Sequence, residues 1–379
     1  MRIALVVQGG VDRSGQERVV PALLWLIERL ARRHEVHVFA LRHERRACRY
    51  DLLGARVHDL GGGGLGTAVG LLRLAPRLWL SMRRLGPFGV VHAYRGGLPG
   101  LLAAVAARGL GVPLVLTLDG GELVALPDIG YGLQLRWRDR TMLACASRTA
   151  GAITVGSGYM RRLAEGHGLA VHEVPFGVDL RSFGPGKPPP GPPWRLLHVA
   201  HLNPVKDQAT LLRAFRGVID AGARAHLDIV GLDTLGSETQ ALAGALGVAE
   251  KVTFHGLRRV AEIPSFYERS HLLVQSSRHD AAPVAVLEAA ACRVPTVGTA
   301  VGYVADWAGD RAVATPVGDA GALAAAILAL LGDDARRRTL GDRARSWAVE
   351  HDADWTAARL EALYEAVDGG GRSPWPSSA

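Results

Sequence analysis

Two carboxylates are spaced so that they could recognise a sugar. Asp280 and Glu288 are separated by seven residues in the segment SSRHDAAPVAVLEAAACRVPTV. Pro283 suits the first turn of a helix, so Asp280 is expected on the loop entering that helix and Glu288 inside it, near its N-terminal half. Glu288 lies in an apolar run, where an idle carboxylate would be costly to bury. The pair therefore predicts acceptors for ribose and sugar hydroxyl groups.

A second group of polar residues follows an apolar run in HVAHLNPVKDQATLLRAF. A strand is expected to end near Ala200, and the loop after it carries His201, Asn203 and Lys206. Asp207 can cap the next helix. An amine and an imidazole beside a helix N-terminus favour an anion. The loop as a whole therefore predicts a diphosphate site, although Lys206 taken alone is more typical of an exposed surface lysine.

The first apolar run is followed by glycines. Gln8-Gly9-Gly10 comes directly after it, and Ser14-Gly15 precedes a helical pattern. Glycines at this place let backbone N–H groups approach an anion. The GxGxxG spacing of dinucleotide-binding proteins is absent, so a NAD site, another phosphate contact and a plain tight turn stay open.

These residues must be positioned by a repeating order of strands and helices. Continuously apolar strands indicate parallel strands covered on both faces, and strand–helix repetition predicts doubly wound α/β sheets. The strands predicted in the first half are 3–7, 36–40, 90–93, 114–118 and 153–155. The helices predicted there are 16–33, 98–108 and 134–150. The strands predicted later are 196–200, 227–230, 252–255, 272–275 and 296–298, with helices from Asp207 and from Pro283.

The length of 379 residues favours two domains, because single cores stop growing at about 250–300 residues. The sequence FGPGKPPPGPP is typical of a stiff connector. We expect a domain at 1–184, a linker at 185–194 and a second domain at 195–352. A helix at about 353–367 is expected to return to the first domain, and the tail 369–379 is expected to be disordered. Ligands of such sheets bind at the carboxyl ends of the strands.

The composition favours a cytoplasmic protein. Cys48, Cys145 and Cys292 are too far apart for a disulfide framework or a metal cluster, which indicates a reducing compartment. The N-terminal run is typical of a buried strand rather than of a secretory signal. The segment 65–85 is rich in leucine but carries four arginines and a proline, so it does not fit a membrane span. It fits an amphipathic helix that binds a membrane surface and, equally, an ordinary domain helix.

Positive charge is concentrated in the first half. Up to Gly184 the chain has 24 arginines, no lysine and 14 acidic residues, a net charge of +10 against +8 for the whole chain. This asymmetry favours an anionic membrane surface or a phosphorylated acceptor as a partner. The sequence has no signature of a nucleic-acid-binding motif.

Several motifs together resemble the retaining GT-B glycosyltransferases of family 4, the glycosyl transferases group 1 type. The resemblance covers nearly the whole chain and is strongest from His198 to Asp319. The segments that carry it are AHL…K at Ala200–Lys206, Asp280-x7-Glu288, EA-x-A-x-x-x-P at Glu288–Pro295, Val174–Phe183, Gly318–Ala324, and Trp355 with Tyr364 in a closing helix.

The resemblance implies the GT-B fold, with two Rossmann-like domains facing across a cleft. It also implies transfer of a sugar from a nucleoside-diphosphate sugar to a hydroxyl acceptor, without metal or further cofactor. Lys206 would neutralise the diphosphate, Asp280 would contact the transferred sugar and Glu288 would hold the ribose. The other positions that it assigns to donor binding are Asn203, Gly10, Gly231, Ala281, Ala282, Pro283 and Val284.

Three positions depart from the family pattern. His201 replaces the usual arginine, Asp280 replaces a glutamate, and Asp119 stands where the family often has a histidine. An ionised Asp119 cannot donate a hydrogen bond, and His201 is not a fixed cation. Two alternatives therefore stay open beside the transferase: an inactive sugar-nucleotide-binding subunit, and a sugar-nucleotide epimerase on the same fold.

Overall fold

The computed structural model describes residues 1–63, 67–187 and 190–369. The chain divides into two compact units. Unit 1 comprises Met1–Phe176 and the segment that begins at Ala353, and unit 2 comprises Gly177–Asp352. The division thus precedes the proline-rich segment, which belongs to unit 2.

Unit 1 is built on an eight-stranded sheet with the order β3-β4-β2-β1-β5-β6-β7-β8. Its strands are β1 (Arg2–Val7), β2 (Glu35–Ala40), β3 (Cys48–Leu52), β4 (Ala55–Asp59), β5 (Val90–Tyr94), β6 (Leu114–Leu118), β7 (Ala152–Val155) and β8 (His172–Glu173). Only β3, at the edge, runs antiparallel to its neighbour. β1 is the first strand in sequence but lies inside the sheet, so the direction of winding reverses between β1 and β5.

Helices pack beside this sheet in two groups. They are α1 (Pro21–Ala31), α2 (Thr67–Leu85), α3 (Leu98–Leu110), α4 (Trp137–Thr149), α5 (Gly158–Gly166) and α13 (Ala353–Asp368). α1 packs against α13, and one buried cluster joins Leu5 of β1, Ile27 of α1 and Leu363 of α13. α3 packs between α2 and α4. This core fixes the carboxyl ends of β1, β5 and β6 relative to one another.

Unit 2 is built on a six-stranded parallel sheet with the order β11-β10-β9-β12-β13-β14. Its strands are β9 (Trp194–Val199), β10 (Ala225–Val230), β11 (Val252–Gly256), β12 (Leu272–Gln275), β13 (Thr296–Thr299) and β14 (Ala312–Thr315). Its helices are α6 (Gln208–Asp220), α7 (Glu238–Ala245), α8 (Pro264–Glu268), α9 (Val284–Ala291), α10 (Gly302–Asp306), α11 (Ala320–Gly332) and α12 (Asp334–Glu350). Its buried cluster joins Phe215, Ile229 and Ile327.

The doubly wound α/β prediction is confirmed; two strands of unit 1, β3 and β4, were not predicted, and the starts of two helices are corrected. The helix predicted from Gln16 begins at Pro21, because Val11 and Val19 pair across a loop before it. Pro283, expected in the first turn of its helix, is the N-cap of α9. The predicted disordered tail, apart from Gly369, and the first two residues of the segment 65–85 lie outside the described residues.

Two further observations bear on the composition. Cys48, Cys145 and Cys292 all carry free thiols. Among residues 1–63, 67–187 and 190–369, none of the helices combines the length and apolar composition that crossing a bilayer requires.

Candidate functional site

The residues predicted to bind a donor meet at one point of the unit 2 sheet. The chain runs from β9 through β10 to β11 on one side, and from β12 through β13 to β14 on the other. The crevice outside the carboxyl ends of such neighbouring, oppositely wound strands is where α/β sheets bind ligands. The loops after β9 and β12 carry Lys206 and Asp280, so the topology alone brings these two side chains together.

Hydrogen bonds between main chain and side chains hold the two loops against each other. The Arg278 N–H donates to the Val205 carbonyl at 2.8 Å, and the Ser276 hydroxyl donates to the Lys206 carbonyl at 2.8 Å. The Thr299 hydroxyl, at the end of β13, donates to the Ser277 carbonyl at 2.6 Å. These hydrogen bonds therefore fix the two loops relative to each other and to the end of β13.

Lys206 and Asp280 form an ion pair at this place. The side chain of Lys206 is 23% exposed and that of Asp280 is 14% exposed. A partly buried pair is less screened by salt than a surface pair. Asp280 therefore competes with an anionic ligand for the amine of Lys206.

The Lys206 loop is shaped by side chains that bond to its own backbone. The Asn203 side-chain oxygen accepts from the Lys206 N–H at 3.1 Å. Asp207 caps α6 as predicted, accepting from the Thr210 N–H at 3.1 Å and from its hydroxyl at 2.7 Å. Asp207 has φ of +49°, a conformation that aspartate tolerates better than most residues. Asn203, predicted to bind the donor, therefore positions Lys206.

His198, near the end of β9, helps to hold the same loop in place through two hydrogen bonds. Its Nδ1 lies 2.9 Å from the Val274 carbonyl and its Nε2 lies 3.1 Å from the Gln208 amide nitrogen. A carbonyl only accepts, so Nδ1 carries the proton and Nε2 accepts from Gln208. Burial lowers the pKa of His198 to about 4, so the ring is neutral. The same Gln208 nitrogen donates to the His201 carbonyl at 3.1 Å.

His201 lies exposed on this loop. Desolvation by the surrounding protein, and next the charge of Lys206, lower the pKa of His201 below its usual value. The imidazole is therefore neutral at pH 7 and offers a hydrogen bond rather than the positive charge of an arginine.

Glu288 is buried in α9, 4% exposed. It is the fifth of eight residues in that helix, past the midpoint rather than in the N-terminal half. The Tyr267 hydroxyl donates to its carboxylate at 2.8 Å. Burial raises the pKa of Glu288 to about 8, and the bond from Tyr267 acts in the opposite direction. Glu288 is therefore a mainly protonated acid at pH 7, able both to donate and to accept.

Two glycines allow the backbone to come close around this site. A Cβ at Gly231 would lie 1.9 Å from the Ala200 carbonyl oxygen. Gly302, with φ of +52°, would bring a Cβ within 2.5 Å of the Pro283 ring. Gly231 is therefore required for the close packing of the loops after β9 and β10, and its role in donor binding stays a prediction.

The remaining positions predicted to bind the donor form the turn between Asp280 and α9 and the first residue of that helix. Ala281 and Ala282 are 3% and 7% exposed, and Val284 is the first residue of the helix. Small buried side chains leave the backbone of this turn close to the N-terminus of α9, whose partial positive charge favours an anion.

Asp119 lies in unit 1, directly after β6, and pairs with a residue that the sequence did not single out. Its Oδ1 is 3.5 Å from the Nε of Arg95, which follows β5 and has φ of +78°. Burial raises the pKa of Asp119, and the charge of Arg95 opposes this. Glu122 is buried nearby and accepts from the N–H groups of Gly96 at 3.2 Å and Gly120 at 2.8 Å.

The glycine-rich turn after β1 does not open a helix. Gly10 accepts a backbone hydrogen bond from Val20 at 3.0 Å, and Asp12 accepts from the Ser14 N–H at 2.9 Å. The bond joins Gly10 to Val20, the N-cap of α1, so Gly10 lies beside the start of that helix although a loop separates the two in sequence. The predicted phosphate contact of Gly10 stays a prediction.

The sequence predicted no metal site. Within the described residues, Asp12, His43 and Glu44 have ligand atoms close enough together to hold an ion. Arg18 pairs with both of these carboxylates, at 3.0 Å in the case of Glu44, so the group already has a cation.

Sequence reasoning missed the residues that position the site. The serines at 276 and 277 follow a predicted strand directly, which is a signal that could have been used. Tyr267 and His198 become relevant only through contacts with Glu288 and Gln208, which no local pattern reveals. Arg95, which pairs with Asp119, follows a strand of unit 1, but arginine is too common in this half of the chain to single it out.

Comparisons of sequence agree over both units. Residues 14–182 match the family described as Glycosyltransferase Family 4, and residues 185–347 match the family described as Glycosyl transferases group 1. D-inositol 3-phosphate glycosyltransferase 1 of Catenulispora acidiphila is 30% identical over 319 residues, 77% of this chain and 75% of that protein. Phosphatidyl-myo-inositol mannosyltransferase of Mycolicibacterium smegmatis is 28% identical over 326 residues, 80% of this chain and 78% of that protein.

Solved structures share the fold. Sucrose-phosphate synthase from Thermosynechococcus elongatus has a TM-score of 0.78 at 19% identity, covering 98% of this chain and all of that chain. The Anabaena protein HepE in complex with UDP and glucose has a TM-score of 0.75 at 17% identity, covering 96% and 99%. At these identities the likeness establishes the architecture alone.

Proposed function

The chain belongs to the group 1 glycosyltransferases of the GT-B fold, and we propose that its donor is a nucleoside-diphosphate sugar, transferred to a hydroxyl acceptor with retention of anomeric configuration. The observation that carries this proposal is the ion pair of Lys206 with Asp280 at the switch point of unit 2. The pair places an amine for a diphosphate beside a carboxylate for a sugar hydroxyl.

Breaking the bond between the anomeric carbon and the diphosphate leaves negative charge on the departing group. Lys206, held by the framework of Asn203 and Asp207, meets that charge together with the N-terminus of α9. Preorganised groups of this kind stabilise a transition state more than water does, because they need no reorganisation. Asp280, released from the amine, is then free to accept from a hydroxyl group of the sugar.

Glu288 is proposed to hold the nucleotide ribose. Because burial keeps it mainly protonated at pH 7, it can donate to one ribose hydroxyl and accept from the other. Tyr267 fixes the carboxyl group from the opposite side. His201 offers a neutral donor beside the diphosphate, in place of a fixed cation.

The acceptor is proposed to belong to cell-envelope polysaccharide or glycolipid synthesis. Two relatives are named for transfer to D-inositol 3-phosphate and to phosphatidyl-myo-inositol. A hydroxyl acceptor in solution and a lipid-linked acceptor at an anionic membrane surface are both compatible with the basic character of the first half of the chain.

The outer side of α2 supports the membrane proposal. Leu74, Leu78 and Met82 are buried, so the apolar side of this helix is already used within unit 1. Leu80 is 41% exposed, and Arg83 stacks over the Trp79 ring at 5.0 Å. The arginines of this side, rather than an inserted apolar face, would make the contact with anionic lipid.

The test is a panel of UDP-, GDP- and ADP-sugars with the full chain. We expect one donor to bind and to be consumed only when an acceptor is present, with EDTA leaving the rate unchanged. NMR of the product should show the anomeric configuration of the donor, and an inverted product would sink the mechanism. Binding without turnover would instead favour a binding subunit, and an altered sugar nucleotide without acceptor would favour an epimerase.

A further inference from the structure

A cavity of about 450 Å³ lies between the edge hairpin of unit 1 and α2. One wall comes from the start of β3 and the end of β4, and the other from the side of α2 that carries Arg77, Leu80 and Arg84. β2 separates β4 from β1, so the cavity lies beside the edge of the sheet and not at the point where its winding reverses. The volume is within the range of small-molecule sites.

His58, on β4, lines the cavity with a ring that is 5% exposed. Burial lowers the pKa of His58 to about 4, so the ring is neutral. Its Nε2 lies 2.9 Å from the Nδ1 of His37, whose own Nε2 lies 3.0 Å from a carboxylate oxygen of Glu35. A carboxylate only accepts, so the Nε2 of His37 carries a proton, and its Nδ1 accepts from His58.

The second nitrogen of His58 has no hydrogen-bond partner in the part of the chain that the structure describes. Because Nε2 donates to His37, the Nδ1 of the neutral ring is an acceptor. His37 and Phe39 stack against the ring, with 5.2 Å and 5.1 Å between ring centroids, and hold it in this orientation. A buried acceptor without a donor is unfavourable, and a ligand with a hydroxyl group would remove that cost.

Arginines from both walls line the same cavity. Arg49 is paired with His58 between β3 and β4, so the two side chains share one face of the sheet. Arg77 and Arg84 are about two turns apart and therefore share one side of α2. The Arg77 guanidinium donates to the Leu60 carbonyl at 3.2 Å. All three arginines are exposed, and none forms an ion pair with any of the residues 1–63, 67–187 and 190–369.

The acid that lines this cavity does not balance the arginines. Asp59 is 2% exposed, and its two oxygens accept from the N–H groups of Glu44 at 3.0 Å and Gly61 at 2.8 Å. Its carboxylate is thus bonded to the backbone of the neighbouring loops. The cavity keeps an excess of positive charge, which favours an anion.

We infer that this cavity binds a small phosphorylated polyol, with its phosphate held by the three arginines and one of its hydroxyl groups donating to the Nδ1 of His58. The planar fork of arginine matches the oxygens of phosphate two at a time. Inorganic phosphate at the arginines would leave His58 unpaired, so a hydroxyl group beside the phosphate fits both features. The site is independent of the proposed transferase function, because none of its residues is among those predicted to bind the donor.

Two sources present this chemistry. One is a polyol phosphate in solution, and the other is the headgroup of a glycerophospholipid, since Arg77 and Arg84 lie on the helix proposed to contact a membrane. In both cases the ligand bridges the edge hairpin and α2. Amide hydrogen exchange in β3 and β4 should therefore slow when the ligand is bound.

The experiment is calorimetric titration of the full chain with glycerol 3-phosphate, inorganic phosphate and glycerol. Glycerol 3-phosphate should bind about tenfold more tightly than inorganic phosphate, and glycerol should not bind. Arg49→Gln and Arg77→Gln should each weaken the binding of both phosphate compounds by about tenfold. His58→Phe should lower the affinity for glycerol 3-phosphate to that for inorganic phosphate, which should itself stay the same.

Two control variants remove arginines of unit 1 that do not line this cavity. Arg108→Gln changes an exposed residue of α3, and Arg95→Gln changes the partner of Asp119. Both should bind glycerol 3-phosphate like wild type. Phosphatidylglycerol vesicles that displace glycerol 3-phosphate assign the lipid source, and vesicles that do not displace it assign the soluble one.

Several results would overturn the inference. These are binding of neither phosphate compound up to about 10 mM, equal binding of glycerol, and variants at Arg49 and Arg77 that bind like Arg108→Gln. Weaker binding in Arg95→Gln alone would also overturn it, because the phosphate would then lie at the carboxyl ends of β5 and β6. Equal affinities of the wild type for glycerol 3-phosphate and inorganic phosphate would contradict the contact with His58, even where His58→Phe does not fold.

Discussion

Lys206 and Asp280 form an ion pair, so we expect their substitutions to have opposite effects on nucleotide binding. Asp280→Asn removes the carboxylate that competes with a diphosphate for the amine. We expect this variant to bind the product nucleoside diphosphate about tenfold more tightly than wild type. Lys206→Ala should bind it more weakly and lose turnover by about a hundredfold to a thousandfold. Titration with UDP, GDP and ADP measures the first effect, and initial rates measure the second.

The matched control is Lys251→Ala, since Lys251 is exposed and lies in the same unit. It should leave both binding and turnover unchanged. Equal nucleotide affinity in Lys206→Ala and Lys251→Ala would mean that the amine is not at the diphosphate. Weaker nucleotide binding in Asp280→Asn would mean that Asp280 holds the nucleotide rather than competing with it.

The burial of Glu288 costs stability at high pH, and the same residue is proposed to bind the nucleotide ribose. Its pKa in the folded chain is raised from 4.5 to about 8, chiefly by burial. A raised pKa means that the folded state holds its proton more strongly, so this contribution to stability is complete below pH 4.5 and is lost as the pH rises through 8. Glu288→Gln should therefore raise the unfolding midpoint at pH 8.5 relative to wild type, with a smaller difference at pH 5.

The same variant should weaken nucleotide binding by about tenfold, because the amide cannot adjust its proton to the two ribose hydroxyls. Thermal unfolding at both pH values and titration with the nucleotide test the two effects together. A variant that is less stable than wild type at pH 8.5 would show that the carboxylate is stabilised by more than the Tyr267 hydroxyl.

At the scale of the elements, a chain of buried hydrogen bonds crosses unit 1 from α13 to β7. His92 on β5 lies 2.6 Å from the Tyr364 hydroxyl and 2.6 Å from the Thr117 hydroxyl, which lies 2.6 Å from that of Thr154. Burial lowers the pKa of His92 to about 3. The unfolded chain binds a proton at about pH 6.5, so stability falls as the pH drops from 6.5 towards 3.

His92→Gln should remove this titration. The slope of unfolding free energy against pH, measured by urea denaturation between pH 6.5 and 4.5, should decrease by up to about 1.4 kcal/mol per pH unit. Tyr364→Phe is the control, since it removes a hydrogen bond but leaves the histidine. It should lower stability by about 1 kcal/mol at every pH without changing the slope. Equal slopes in wild type and His92→Gln would contradict the buried neutral histidine.

The elements that could be predicted from the sequence are those in which one local signal dominates. β1, β6 and β12 are continuous apolar runs, and their predicted bounds agree with the structure within one residue. β3 and β4 were missed because CRYDL and ARVHD mix charged and apolar residues, as an edge hairpin does. Their pairing depends on contact with β2, which a local window does not contain.

The features of the site divide in the same way, into those with a local sequence signal and those that depend on contacts with other elements. The spacing of Asp280 and Glu288 and the Asp207 cap are local features, and the sequence predicts them. The start of α1 depends on the ion pair of Arg18 with Asp12 and on a bridge across the loop, so the sequence placed it too early. The partners of Glu288 and of Asp119 come from other elements, and they could be found only once the fold was known.

At the scale of the whole molecule, net charge is divided unevenly along the chain, +10 up to Gly184 and +8 overall. Such a field raises the local concentration of anionic partners and is weakened by salt. Attraction to an anionic surface should therefore depend on total charge and on ionic strength.

The membrane proposal makes a prediction that separates a contact through α2 from attraction by net charge alone. The chain should float with vesicles that contain phosphatidylglycerol at low salt, stay behind with neutral vesicles, and be released by about 0.5 M salt. Arg83 and Arg84 are exposed at the end of α2. Because each arginine near an anionic surface contributes about 1 kcal/mol, replacing both with glutamine should weaken vesicle binding about thirtyfold.

Replacing Arg213 and Arg224, two exposed arginines of unit 2, removes the same charge from the other unit and should have a much smaller effect. If both pairs weaken flotation equally, the attraction comes from net charge alone and α2 is an ordinary domain helix. If neither anionic nor neutral vesicles bind the wild type, the membrane is not a partner.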